Sequence, residues 1–250
     1  MLEFVSANPT LELPLGTQPP YFWVQEYAAL EVQVERDQGR GLPYVSLGPH
    51  RVYFPRDATA AQITECVRLA KMEQDPRSPH CYVTAGFGPD RGDIGVFVGA
   101  SDGIFCLSIL DRLSKAILFE PNPAWVEPLL ATFAQFSDQV EVVPIALGSN
   151  DAPGTIKLDS FLRARPEPNY IQIDVDGAEW DVLRGARETI AKARKLRLSV
   201  CTYHRRLDYR RFGAFLRRYG YQLGHSHGFY LMGVRMPYLR RGVLYAWRGT

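Results

Sequence analysis

The stretch Gly95-Val96-Phe97-Val98-Gly99-Ala100-Ser101-Asp102-Gly103 reads as a buried strand, a glycine turn and the first turn of a helix. Val96 to Val98 form a short β-branched and aromatic run between polar residues and glycines, as a strand buried on both faces requires. Gly99 and Gly103 let the backbone turn tightly and approach a ligand where a Cβ would collide. Ile104, Leu107, Ile109 and Leu110 follow at near-helical spacing, so a helix start with unpaired N–H groups points back at the turn.

The next apolar run, Ala116-Ile117-Leu118-Phe119, ends in Glu120. An acid at the tip of the second strand of a β-α-β unit, about 20 residues past a glycine turn, is placed to accept hydrogen bonds from a ribose diol. The dinucleotide spacing G-x-G-x-x-G is absent, which disfavours a pyrophosphate and a nicotinamide enzyme. A nucleoside without phosphates fits better. The alternative is that Glu120 is simply an exposed strand end.

Outward from this unit, strands and helices alternate, a pattern that calls for a mainly parallel sheet covered by helices on both faces. The spacing predicts strands over 96–98, 116–119, 140–145, 170–175 and 196–202, and helices over 103–113, 123–136, 179–193 and 208–219. A final pair, 221–226 and 229–234, reads as an antiparallel hairpin. Upstream, residues 1–45 are rich in Pro and Gly, with a helix expected within 24–34. Arg51 to Phe54 reads as an edge strand closed by Pro55, Ala60 to Met72 as a helix, and Tyr82 to Thr84 as a short strand. The division is then 1–90 as an N-terminal extension and cap, 91–236 as the main α/β domain, and 237–250 as a basic C-terminal tail.

The 250 residues, 46% of them apolar, suffice for one such domain with additions. Charges nearly balance, 29 Lys and Arg against 27 Asp and Glu, so no global field argues for a nucleic-acid partner. Cys66, Cys81, Cys106 and Cys201 are scattered and form no C-x-x-C, which suits reduced thiols in the cytoplasm. No apolar run approaches the ~18 to 20 residues of a membrane span.

From about Ser78 onward the chain resembles the FkbM-type S-adenosylmethionine-dependent methyltransferases. The resemblance is carried by Gly92-Asp93, Val98 to Gly103, Leu118-Phe119-Glu120-Pro121, Lys157-Leu158-Asp159, Cys201-Thr202-Tyr203-His204 and Pro237 to Gly242. Above all it rests on Ile171-Gln172-Ile173-Asp174-Val175-Asp176-Gly177-Ala178-Glu179 with Val182-Leu183-Arg184-Gly185-Ala186. It implies a Rossmann-like methyltransferase fold with a seven-stranded sheet, and S-adenosylmethionine as cofactor. It also implies methyl transfer to a hydroxyl of a sugar, glycan or natural-product intermediate.

The cofactor is then expected over Gly99, Ala100, Ser101, Asp102 and Gly103, with Glu120 and Pro121 at the ribose, Asp151 at the adenine and Asp174 at the methionine end. Where the family has an acid at the end of the first strand, this chain has Phe97, and Asp102 is the nearby acid that stands in. Phe97→Asp is on this reading expected to tighten cofactor binding. Phe97 also supports the competing reading, a methyltransferase-like subunit that binds a partner and has lost catalysis.

Transfer to a hydroxyl needs a group to take the proton. Because ligands of open α/β sheets bind beyond the carboxyl ends of the strands, Asp174 and His204 are the candidate bases and Glu179 supports them. The alternatives are that Asp174 only binds cofactor or caps the next helix, and that His204 is a packing residue. Asp174, Asp176, Glu179 and His204 also suit a divalent cation. The metal-free reading is preferred. The arginines at 205, 206, 210, 211, 217 and 218 form a solvated helix face, or else attract an acidic acceptor.

Overall fold

The computed structural model describes residues 2–7, 19–232 and 238–249. In chain order it contains α1 (Leu2–Ala7), α2 (Gln25–Ala28), β1 (Val34–Arg36), β2 (Pro43–Leu47), β3 (His50–Tyr53), α3 (Ala60–Glu73), β4 (Asp93–Val98) and α4 (Ile104–Ile109). These are followed by β5 (Leu113–Phe119), α5 (Pro123–Thr132), β6 (Val140–Val143), β7 (Ala146–Leu147), β8 (Thr155–Ile156), α6 (Leu158–Phe161), β9 (Tyr170–Ile173), α7 (Glu179–Gly185) and α8 (Arg187–Lys192). Last come β10 (Leu196–Cys201), α9 (Asp208–Arg218), β11 (Gln222–His225), β12 (Tyr230–Met232), β13 (Tyr238–Arg240) and β14 (Val243–Arg248).

Seven strands form the main sheet in the order β11-β14-β10-β9-β4-β5-β6. Strands β6, β5, β4, β9 and β10 run parallel, and β14 is antiparallel to both β10 and β11. Alternation along each strand feeds two cores. Val96, Val98, Ile117 and Phe119 face one side with α7, α8 and α9 residues such as Val182, Ile190 and Phe212, while Phe97, Ala116 and Leu118 face the other with Cys106, Leu129 and Phe133. The chain leaves β4 in one direction along the sheet and returns at β9 in the other. The gap beyond the carboxyl ends of β4 and β9 is therefore the topological switch point, where such sheets bind ligands.

The N-terminal segment packs against α4 and α5. Strands β1 to β3 form a separate antiparallel sheet, and α3 starts on a capping box in which the Thr59 hydroxyl and the Gln62 side chain exchange hydrogen bonds with each other's backbone N–H. Val45, Val52, Phe54, Ile63 and Val67 close over Ile104 of α4, with Trp125 of α5 against them. The Tyr53 N–H donates to the Thr132 hydroxyl at 3.0 Å, and Arg56 pairs with Glu127, which ties the segment to α5.

Several expectations need correction. Residues 237–250 are not a tail: Val243–Arg248 is a strand inside the main sheet, because Val243-Leu244-Tyr245-Ala246 is a buried apolar run that flanking arginines disguise. The hairpin pairing differs too. Gln222–His225 pairs with β14, and Tyr230–Met232 pairs with Tyr238–Arg240; positions 233 and 234 of that expected strand, and Pro237, lie outside the described residues. The helix expected over 179–193 is two. Asp159 accepts the Glu188 and Thr189 N–H groups at 2.8 Å and so starts α8 afresh, in place of a cap that Ala186 cannot supply. Tyr82 to Thr84 forms no strand, only a bridge between Thr84 and Phe87, and the helix within 24–34 is Gln25–Ala28 preceded by a 3₁₀ turn. Among the described residues, no helix is long and apolar enough to cross a membrane.

Candidate active site

At the switch point the glycine turn is pressed onto the end of β9. Gly99 has φ +81°, and a Cβ there would lie 1.9 Å from the Asp174 carbonyl oxygen, so only glycine allows the contact. The N–H groups of Gly99 and Ala100 both donate to the Phe119 carbonyl, at 3.0 and 3.2 Å. Ser101 follows at φ +46°, a left-handed conformation that costs a non-glycine residue energy and is kept here by its surroundings. Its N–H donates to Glu120 Oε2 at 2.9 Å, and Glu120 Oε1 accepts the Asn122 N–H at 2.9 Å. Glu120 thus locks the turn to the start of α5. It is buried, and its carboxylate keeps lone pairs beyond these two bonds.

A cavity of about 320 Å³ opens over Gly99, Ala100, Ser101 and Asp102. Phe97, Phe105 and Cys106 line its floor side, Gln172, Asp174 and Asp176 come from the end of β9, and Tyr82 and Tyr203 from two loops. The remaining wall is α3, through Cys66, Leu69, Ala70, Glu73 and Gln74. The N-terminal segment therefore builds part of the site.

Asp174 is the centre of the arrangement. Its Oδ2 accepts the Tyr82 hydroxyl at 2.7 Å and lies 3.1 Å from His80 Nε2, which is also 3.1 Å from the Tyr203 hydroxyl. His80 Nδ1 lies 3.5 Å from Glu73. On the other side, His204 Nε2 is 3.7 Å from Asp174 Oδ1 and 3.5 Å from Asp176 Oδ1, and its Nδ1 makes a 2.8 Å ion-pair contact with Glu179 Oε1, off the line of a hydrogen bond. Glu179 is fully buried and receives the Val175 and Gly177 N–H groups, which fixes the Asp-Gly turn above it.

Burial would raise the Asp174 carboxyl, but the bond and charge of His80, with Tyr82 and His204, outweigh it and hold the group at about 2. Burial lowers both imidazoles, yet Glu73 and Asp174 push His80 up, and Glu179, Asp174 and Asp176 push His204 up. Glu179 is held down despite its burial, chiefly by His204. Burial raises Glu73 to about 7 against the pull of His80.

Of the residues expected from sequence, Gly99, Ala100, Ser101, Asp102 and Asp174 line the cavity together, and Glu179 and His204 stand directly behind Asp174. Gly103 shapes the turn at φ +75°, Glu120 is buried beside the turn, Pro121 is exposed next to it, and none of the three lines the cavity. Asp151 also lies outside the lining; it accepts the Lys157 N–H and the Ser160 hydroxyl and so caps α6. Asp102 is already engaged, with the Ile104 N–H at 2.7 Å and the Cys66 thiol at 3.2 Å. No arginine of α9 lines the cavity. Glu73, His80, Tyr82 and Tyr203 were missed; Tyr203 alone had a pointer, its place beside His204. For a metal, two sets of ligand atoms converge within 4.8 Å, Asp174 with Glu179 and His204, and Asp174 with His80 and Cys201.

Residues 148–223 match the model of the methyltransferase FkbM domain, a segment that holds Asp159, Asp174, Glu179, Gly185 and His204. No curated protein matches the chain. Among solved structures, a methyltransferase FkbM from Methylobacillus flagellatus aligns at TM-score 0.53 and 18% identity, over 76% of this chain and 55% of that one. The chain thus spans about half of that relative. Precorrin-6Y C5,15-methyltransferase from Geobacter metallireducens aligns at TM-score 0.47 and 11% identity, over 79% and 93% of the two chains. A putative tRNA (m1A22) methyltransferase from Streptococcus pneumoniae, in complex with S-adenosyl-L-methionine, aligns at 0.44 and 14%, over 64% and 68%. Residues 148–223 thus resemble the methyltransferase FkbM domain, and the fold is shared with a solved methyltransferase FkbM.

Proposed function

We propose that the protein is an S-adenosylmethionine-dependent O-methyltransferase acting on a small molecule or glycan, with a sugar or natural-product hydroxyl as acceptor. The observation that carries the reading is the meeting of the Gly99 turn with Asp174 at one cavity on the switch point, with His204 directly behind Asp174. The residues fit the cofactor: the turn is a cradle that a Cβ at Gly99 would fill, and Glu120 lies next to it with acceptor capacity to spare for a ribose. Bound, S-adenosylmethionine supplies an electrophilic methyl group.

Asp174 is too weak a base at about 2 to take a proton from an alcohol, so its part is to orient and to balance charge. His204, with Glu179 behind it, is the base. At 15% exposure it can meet a ligand, whereas His80 at 2% cannot. A cytoplasmic location belongs to this reading, and the four free thiols suit it.

Phe97 favours the second reading, a binding subunit without catalysis, because the strand position nearest the cavity carries no acid. Titration with S-adenosylmethionine separates the two. An enzyme must bind it, and at 100 times the dissociation constant the fold gains about 2.7 kcal/mol. Unchanged melting at millimolar cofactor, or a Glu120→Ala variant that binds as well as the parent, overturns the enzymatic reading.

A further inference from the structure

The described residues that line the cavity include Glu73, Asp102, Asp174 and Asp176, and no Lys, Arg or His. Three of these acids are accounted for. Asp102 is bonded to Ile104 and Cys66, Asp174 to Tyr82 and His80, and Asp176 is fully exposed at the rim beside His204. Glu73 is different. Its side chain is 17% exposed at the inner end of α3, and its one ion-pair contact among the described residues is His80 Nδ1 at 3.5 Å, an atom that itself lacks a hydrogen bond there. A carboxylate kept in a cavity without a proper partner is costly, and burial has pushed this one up to about 7.

We propose that Glu73 is a specificity-determining residue that receives the ammonium group of the ligand, so that the cavity selects a nucleoside bearing an amino-acid end. The proposal rests on the cofactor reading and names which residue of this chain makes it selective. Three observations converge on it. A metal ion is disfavoured at this carboxylate, because Glu73 belongs to neither set of converging ligand atoms. The rings of Phe97, Tyr82 and Phe105 line the cavity and pack edge-on or tilted against one another, with centroids 5.9 Å apart for Phe97 and Phe105 and 4.7 Å for Tyr82 and Phe105, and aromatic rings attract cations. Gln74 and Gln172 line the same space and carry amide donors for the carboxylate of an amino acid. The acid that the end of β4 does not supply thus comes from α3, outside the main sheet.

The test pairs two ligands with two proteins. S-adenosylhomocysteine carries the ammonium group and a carboxylate, and 5′-methylthioadenosine is the nucleoside thioether without that amino-acid end. On the unmodified chain, calorimetry is expected to show S-adenosylhomocysteine binding on the order of 10- to 100-fold more tightly, the usual range for a charge-assisted hydrogen bond. In Glu73→Gln most of that advantage is expected to be lost, the remainder resting on the ligand carboxylate at Gln74 and Gln172, while methylthioadenosine affinity stays as it was and melting without ligand does not fall. Equal affinities for the two ligands on the unmodified chain overturn the proposal even where the variant does not fold. So does an advantage undiminished in Glu73→Gln. If neither nucleoside binds the unmodified chain, the cofactor reading itself has failed.

Discussion

On one side of Asp174 stand Glu179 and His204, and on the other Glu73 and His80: two imidazoles, each backed by a glutamate and each turned toward the same aspartate. The first pair belongs to the end of the sheet, His204 following β10 and Glu179 opening α7, and His204 remains 15% exposed. The second comes from the N-terminal segment, and its imidazole is 2% exposed and ringed by Tyr82 and Tyr203. Similar chemistry therefore serves two ends. A partly exposed imidazole can exchange a proton with a ligand, while one sealed behind the aspartate can only hold it in place and keep it ionised.

The comparison breaks most sharply on His204→Ala. If His204 is the base, turnover is expected to fall by roughly 10²- to 10⁴-fold with cofactor affinity nearly intact, once a screen of sugars and glycan intermediates has supplied an acceptor. Because the neighbouring acids raise His204, the neutral base forms only above its ordinary range. The rate of the unmodified enzyme must then rise with pH through a value above the usual ~6.5 of imidazole. A full rate in the variant would move the proton to another group.

Phe97→Asp tests the floor between the two pairs. The sequence suggests that an acid here would tighten cofactor binding, but Phe97 is 1% exposed and packs against Phe105 and Tyr170. Its loss leaves a void, and the new carboxylate faces a cavity that already holds four. The expected outcome in urea unfolding is a loss of about 3 to 5 kcal/mol, with no gain in affinity. A stable variant that binds more tightly would show that Glu73 does not stand in for the missing acid.

His80→Ala probes the sealed imidazole. Asp174 would lose its main counter-charge, and the hydroxyls of Tyr82 and Tyr203 would lose a neighbour. Breaking a buried pair from one side costs about 3 kcal/mol. Equilibrium unfolding measures it, and a loss below about 0.5 kcal/mol would mean that His80 is not what fixes Asp174.

How far these two pairs were legible follows from where their residues sit in the chain. The sheet was readable because strand periodicity and glycine turns are local, and the Asp174, Glu179 and His204 group because topology sends all strand ends of a parallel sheet to one edge. Glu73 and His80 belong to a helix end and a loop brought there only by the packing of Val52, Phe54 and Ile63 onto Ile104. No local pattern marks such a long-range contact. Gly185 and Asp159 show the reverse case. They belong to the most telling motifs, yet a Cβ at Gly185 would sit 1.9 Å from the Gly148 carbonyl oxygen, and Asp159 caps α8, so their work is structural.

The smallest expected effect is the acid dependence of the whole assembly. In the folded chain Asp174 is held at about 2, below its ordinary 3.8, so the folded state binds its proton less readily than the unfolded chain does. A depressed carboxyl stabilises the fold fully above its unfolded value and loses that contribution as pH falls through the folded one. The window is therefore from about pH 4 down to about pH 2, and the difference between the two values corresponds to about 2 kcal/mol. The raised His80 describes the same coupling from its other partner and adds no second share. Asp174→Asn removes the titrating group while keeping its shape. Unfolding midpoints of parent and variant, followed from pH 5 to pH 2, are expected to converge as acid neutralises the parent's aspartate. Midpoints that stay parallel throughout would mean that the two imidazoles do not act on Asp174 through charge, and the symmetry of the pairs would then be one of shape alone.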